Sequence, residues 1–209
     1  MKIIIENLFL KQNAFSLNIK NWTLPPNSHV LIEGASGSGK TSFLHLLAGF
    51  LKPTSGHILL NEKKIDELSA VDLCRFRRAY VGMIFQKIHL LPHLTLFENV
   101  LLGAKNLDQA AEIPALLKKL GLENRFEHLP SQLSLGETQR ASVARALISK
   151  PEIIFADEPT ASLDDQNAEI VFQLLIEQCK GKSLLVVTHD ARARSFFEKS
   201  VNFKELLGT

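Results

Sequence analysis

Apolar residues fall into short runs towards both ends of this chain and into helical spacing between them. Ile3 to Ile5, Phe15 to Ile19 and His29 to Ile32 are β-like runs, and Pro25-Pro26-Asn27 makes a turn between the last two. Phe43, Leu44, Leu46, Leu47 and Phe50 then mark the apolar face of a helix that Pro53 is expected to stop. Ile58-Leu59-Leu60 reads as a strand, Asn61-Glu62-Lys63-Lys64 as a polar turn, and Tyr80 to Phe85 as a longer apolar run ending at Gln86. From about Lys87 to Gln139 strand-like runs vanish. Ile113, Leu116, Leu117 and Leu120 keep helical spacing there, with Gly121 as a C-cap.

The mixed pattern resumes afterwards. Val143, Ala144, Leu147 and Ile148 line a helix that ends before Pro151. Ile153-Ile154-Phe155-Ala156 and Leu184-Leu185-Val186-Val187 are continuous apolar runs, as expected of parallel strands covered on both faces. Ile170, Val171, Leu174 and Leu175 mark a helix between them. The expectation is a single α/β domain over 1–209, with a core from 1–86 and 140–209 and a helical subdomain inserted at 87–139.

Gly34-Ala35-Ser36-Gly37-Ser38-Gly39-Lys40-Thr41 fits G-x-x-x-x-G-K-[ST] and sits between a strand-like and a helix-like run. Glycines let backbone N–H groups turn inward around phosphate oxygens, and the following helix points its positive end at the same anion. Lys40 is placed to reach terminal phosphates and the Thr41 hydroxyl to hold Mg²⁺.

The chain has 209 residues, 45% hydrophobic and 22% charged, with a net charge of +2. That balance gives no global field of the kind nucleic-acid binders use, so no nucleic acid is expected. Arg75, Arg77 and Arg78, with Arg192 and Arg194, read as solvated faces or as contacts to anionic lipid or an acidic partner surface. Cys74 and Cys179 lack metal-ligand spacing and are expected to be small buried or half-buried thiols in a reducing compartment. No apolar run approaches the roughly 20 residues that cross a bilayer. The opening Met1 to Glu6 is too short for a signal peptide. A cytoplasmic protein is expected, with another polypeptide supplying any membrane span.

Asp157 and Glu158 follow a buried strand, where open α/β sheets place ligands. Asp157 suits the Mg²⁺ shell, and Glu158 suits a general base that polarises water at a γ-phosphate. Ser134 and Glu137 have capping-box spacing. The same helix start, with Gly136, is a candidate second anion site, and a second site in one chain makes most sense for a partner's nucleotide. His189 after one strand is a candidate γ-phosphate contact. Gln86 after another is a candidate for the Mg²⁺ shell or the attacking water.

Taken together and in order, the loop Gly34–Thr41, Gln86, Leu133-Ser134-Leu135-Gly136-Glu137, Ile153 to Glu158, Ala161-Ser162-Leu163-Asp164 and His189 resemble the nucleotide-binding subunit of ATP-binding cassette (ABC) transporters over nearly the whole chain. The segments Val81 to Gln86, His89-Leu90-Leu91-Pro92, Glu98-Asn99-Val100 and Ala156 to Thr160 are most similar to the lipoprotein-release, macrolide-export and cell-division (LolD/MacB/FtsE) subgroup. The resemblance implies a P-loop core with a parallel sheet, an N-terminal antiparallel β-subdomain and an inserted helical subdomain. It implies ATP and Mg²⁺, and a head-to-tail homodimer with each ATP between one Lys40 loop and the partner's Ser134 helix. Ala161–Asp164 would communicate across that interface. Gln86 and the helical insertion would couple to an integral-membrane permease, so the protein would lie on the inner face of the membrane. Glu158, His189, Gln86 and Lys40 would be catalytic. Residues Gly34 to Thr41, Ser134, Gly136, Glu137 and an aromatic, Phe9 or Phe15, would bind nucleotide. Thr41, Gln86 and Asp157 would hold the metal. Leu135 departs from the family's usual glycine, and the strand-and-glycine ending is abbreviated. A regulatory scaffold remains a second class. A soluble ABC protein of DNA repair or the ribosome is disfavoured by the single cassette and short insertion.

Overall fold

In a computed structural model that describes residues 1–13 and 15–207, strand β1 (Ile3–Gln12) buries Ile3 and Ile5 but then Leu8 and Leu10. The alternation slips by one residue. The slip is a bulge: the register against β4 (Ser55–Leu60) shifts between Glu6 and Phe9, and Asn7 adopts φ 48°. The extra residue keeps both apolar pairs on the core face. β1 also pairs antiparallel with β2 (Phe15–Leu24), and β4 with the short β5 (Lys63–Lys64), giving a four-stranded sheet in the order β2-β1-β4-β5.

The second sheet is parallel. Its order is β6 (Val81–Ile84), β7 (Ile153–Asp157), β8 (Ser183–Val187), β3 (His29–Glu33) and β9 (Ser200–Asn202). Every residue of β7 and β8 is buried, because both faces are covered. Val30, Ile32, Ile153, Phe155, Leu185 and Val187 face α1 (Lys40–Leu47) and the antiparallel sheet. Leu31, Ile154, Ala156, Leu184 and Val186 face α5 (Leu135–Leu147) and α6 (Asp165–Gln178). The inserted helices α3 (Leu96–Leu101) and α4 (Ile113–Lys119) join that second cluster through Leu96, Val100, Ile113 and Leu117. The insertion therefore shares a core with the sheet, and α5 runs through residues 139 and 140 without a break.

Several expectations need correction. Pro53 does not stop the first helix; α1 ends at Leu47, and Gly49 at φ 68° turns the chain, with Phe50 N–H returning to the His45 carbonyl. Phe50 is consequently outside the helix and 45% exposed. The turn after β4 is only Asn61–Glu62, both at positive φ, and Lys63–Lys64 pair back as a strand. Cys74 is exposed rather than buried, because the short helix α2 (Ala70–Tyr80) buries only Phe76. Cys179 is buried, and desolvation pushes its thiol up to about 12.

Gly56 (φ 84°) lies against the bulge, where an added Cβ would stand 2.1 Å from the Asn7 carbonyl oxygen; Gly121 (φ 65°) has open space. Both alanine variants incur left-handed strain, but only the first meets backbone. Gly56→Ala should therefore cost at least about 2 kcal/mol more than Gly121→Ala. Urea unfolding of the two variants compares them directly.

Candidate active site

Four neighbouring parallel strands release their carboxyl ends at one edge. β3 leads into the glycine loop, β6 into Gln86, β7 into Asp157 and Glu158, and β8 into Thr188 and His189. Their side chains meet around a cavity of about 250 Å³. Ser36, Gly37, Gly39, Lys40 and Thr41 form one wall; Gln86, Asp157, Glu158 and His189 form the other; Phe15 closes an end. Phe9, on β1, does not line it.

The loop's conformation follows from its glycines. Gly37 (φ 74°) and Gly39 (φ 102°) occupy left-handed space, and a Cβ on Gly39 would come within 2.5 Å of the Phe15 ring. Gly39 also begins α1, whose first N–H groups receive no side-chain cap. Ser38 Oγ is buried without a hydrogen-bond partner. Lys40 is 7% exposed, and its ammonium donates to the Gly34 and Ala35 carbonyls at 2.7 and 2.8 Å. Uncapped N–H groups, an orphaned hydroxyl and an ammonium together fit a polyphosphate.

Asp157 is buried, and desolvation raises its pKa, while a hydrogen bond from Thr41 opposes the rise. A carboxylate that burial pushes towards protonation is stabilised by a divalent cation, so Asp157, Thr41 and Gln86 fit Mg²⁺.

Glu158 is 6% exposed, and its backbone sits at φ 48°, a left-handed conformation uncommon for a non-glycine residue. Its N–H donates to the Val187 carbonyl at 2.8 Å. The carboxylate accepts from Thr188 Oγ1 at 2.6 Å and from the His189 backbone N–H at 3.1 Å, and lies 2.7 Å from His189 Nδ1. The His189 ring itself is mostly exposed. A carboxylate held by three groups at the cavity wall is positioned to take a proton from water. Thr188 carries a hydrogen bond that the sequence reading missed. Its only signal is a polar residue directly after the apolar run Leu184–Val187.

Ser134, Gly136 and Glu137 do not line this cavity. Ser134 N-caps α5 with a reciprocal capping box: its Oγ accepts Glu137 N–H at 3.2 Å, and Glu137 accepts Ser134 N–H at 2.8 Å. Glu137 also accepts from Arg125 Nε at 2.7 Å, and that bond leads the causes that hold its carboxyl at about 2. Gly136 backs onto Leu163 and Ser162, whereas Leu135 projects 64% exposed from the helix start. The starts of α1 and α5 thus belong to separate places.

Residues 17–161 match the model of the ABC transporter family. This chain belongs to the ABC transporter family. It is 42% identical over 192 residues to the lipoprotein-releasing system ATP-binding protein LolD of Shewanella denitrificans, covering 88% of this chain and 82% of the relative. It is equally identical to LolD of Hydrogenovibrio crunogenus, over 88% and 84%. Among solved structures, the dimeric post-hydrolysis state of the ATP-binding cassette MJ0796 with ADP and Pi superposes with a TM-score of 0.85 at 34% identity, covering 96% of this chain and 93% of that one. A second dimeric structure of MJ0796, a bacterial ABC transporter cassette, superposes with a TM-score of 0.85 at 36% identity, covering 96% of this chain and 93% of that one. The chain is a member of the LolD/MacB/FtsE subgroup, with the α/β P-loop fold of that family.

Because the Glu137 carboxyl is depressed from 4.5 to about 2, its contribution is present above pH 4.5 and is lost as pH falls towards 2. Glu137→Gln should be less stable than the parent at neutral pH, and the gap should close across that acid window. Urea midpoints measured from pH 7 down to pH 2 test the slope.

Proposed function

We propose that this cassette is the ATP-hydrolysing subunit of a lipoprotein-release type transporter. In this reading it works as a head-to-tail dimer beneath an integral-membrane permease, on the inner face of the membrane. The observation that carries the reading is the division of labour within one chain. Lys40, Asp157, Glu158 and His189 share a cavity, while Ser134 and Gly136 present a second anion-type helix start away from it. One chain supplies two half-sites, and head-to-tail pairing makes each whole.

The residues then have distinct roles. Phe15 stacks on the adenine, since it lies over Gly39 at the end of the cavity. Gly34 to Thr41 wrap the phosphates, with the Lys40 ammonium exchanging loop carbonyls for phosphate oxygens. Thr41, Gln86 and Asp157 hold Mg²⁺, which neutralises charge on the phosphates when bound. Glu158 orients water and takes its proton, and His189 holds the Glu158 carboxylate while facing the γ-phosphate. Ser134 and the Gly136 N–H complete the partner's site. Among the described residues no helix is long and apolar enough to cross a membrane, so a permease supplies the span. The named relatives belong to a lipoprotein-releasing system, which supports that class of permease over a wide-pore importer.

Glu158→Gln should lower turnover about 10²- to 10⁴-fold and accumulate an ATP-bound dimer. Phosphate release and sedimentation with MgATP measure both effects; unchanged hydrolysis removes Glu158 as the base. Ser134→Glu should leave monomer ATP affinity intact yet abolish dimerisation and most hydrolysis. Normal ATPase activity in that variant would overturn the shared-site arrangement.

A further inference from the structure

The Glu158 carboxylate begins a path of hydrogen bonds that leaves the cavity. Thr188 Oγ1 donates to Glu158 at 2.6 Å and accepts from Asp190 N–H at 3.0 Å. The Asp190 carboxylate accepts from Thr160 Oγ1 at 2.7 Å. It is also clasped by Arg192, with Nε 2.8 and 3.0 Å from its two oxygens and Nη2 2.8 Å from one of them. The same guanidinium reaches the other way. Nη1 and Nη2 donate to the Leu163 carbonyl at 3.3 and 3.4 Å, and Nη1 to Asp165 at 2.7 Å. The Leu163 side chain lies 3.3 Å from where a Cβ on Gly136 would stand. One arginine therefore bridges the segment after His189 and the loop that backs the Ser134 helix start.

The strength of each arm follows from its exposure. The Arg192 side chain is 34% exposed and that of Asp190 11%, so this forked pair is partly desolvated and geometrically fixed. Asp165 is 95% exposed, and its arm adds little. Serving a carboxylate and a carbonyl on opposite sides requires a planar fork of donors, which lysine lacks.

We infer that Arg192 is a positioning residue that couples the two ATP sites of the dimer. It fixes the Thr188–His189 segment at one site to the 160–165 loop behind Gly136, which serves the other. The inference rests on the shared-site reading above. Closure at one nucleotide then repositions the helix start offered to the second, and coupling free energies of this kind amount to about 5- to 150-fold in affinity.

The test uses full-length protein with Arg192→Ala, Arg192→Lys and, as a control, Arg194→Ala. Arg194 pairs with Glu33 at 2.7 Å and lies off the path. Three quantities are read: binding of a fluorescent ATP analogue to dilute monomer, the Hill coefficient of ATP hydrolysis, and the ATP-dependent dimer affinity in the Glu158→Gln background. Arg192→Ala should leave monomer affinity unchanged, bring a Hill coefficient above 1 down to about 1, and weaken the dimer roughly tenfold or more. Arg192→Lys should fall between, and Arg194→Ala should match the parent. An unchanged Hill coefficient with unchanged dimer affinity overturns the coupling. So does a parallel fall in monomer affinity, melting temperature and dimer affinity, which marks a merely structural residue. Full rescue by lysine overturns the requirement for a fork. A Glu158→Gln protein that stays monomeric with MgATP overturns the shared-site reading, and the coupling with it.

Discussion

The register of β7 against β8 is the constraint on which the catalytic edge depends. Asp157 stands opposite Val187, and Glu158 N–H then reaches the Val187 carbonyl. Because side chains alternate with period two, a slip of one residue would turn Asp157 to the other face. It would also carry the Thr188 and His189 donors away from the Glu158 carboxylate. Buried apolar residues on both faces of both strands make such a slip expensive, so the core fixes the chemistry's geometry.

Local rules are broken where function needs it. Among the described residues two buried side-chain atoms lack a hydrogen-bond partner, Ser38 Oγ and Arg140 Nε. One belongs to the phosphate loop; the other is on α5, with Arg140 Nη1 3.7 Å from the Cβ position of Gly136. Native proteins leave few such atoms, so their place beside the starts of α1 and α5 is informative. Left-handed Glu158 and the uncapped start of α1 belong to the same class. The stability lost at these points is offset by two apolar clusters, one on each face of the parallel sheet.

Much of this was legible in the order of the residues. The glycine loop, the paired acids after Ile153–Ala156 and the S-x-x-E start at Ser134 each state a local geometry, and each element begins where its signal stands. The misreadings share a cause. Pro53 is the louder local signal for the end of α1, but the left-handed Gly49 acts first. Lys63 and Lys64 read as a turn because nothing local reveals that β4 lies beside them. No local signal separates Phe9 from Phe15, and it is Phe15 that lies over Gly39 and lines the cavity.

Short stretches of the sequence carried the candidate residues for the chemistry and the period of most elements, since both are properties of short segments. Tertiary structure alone decided what stands beside what. It put the ends of four strands, distant along the chain, around one cavity, and it kept Ser134 out of that cavity. It also threaded Thr188, Asp190 and Arg192 between that cavity and the loop behind Gly136. Such proximity is set by sheet order and by the burial of both sheet faces, which depend on the whole chain's packing and leave no mark on any short stretch of it.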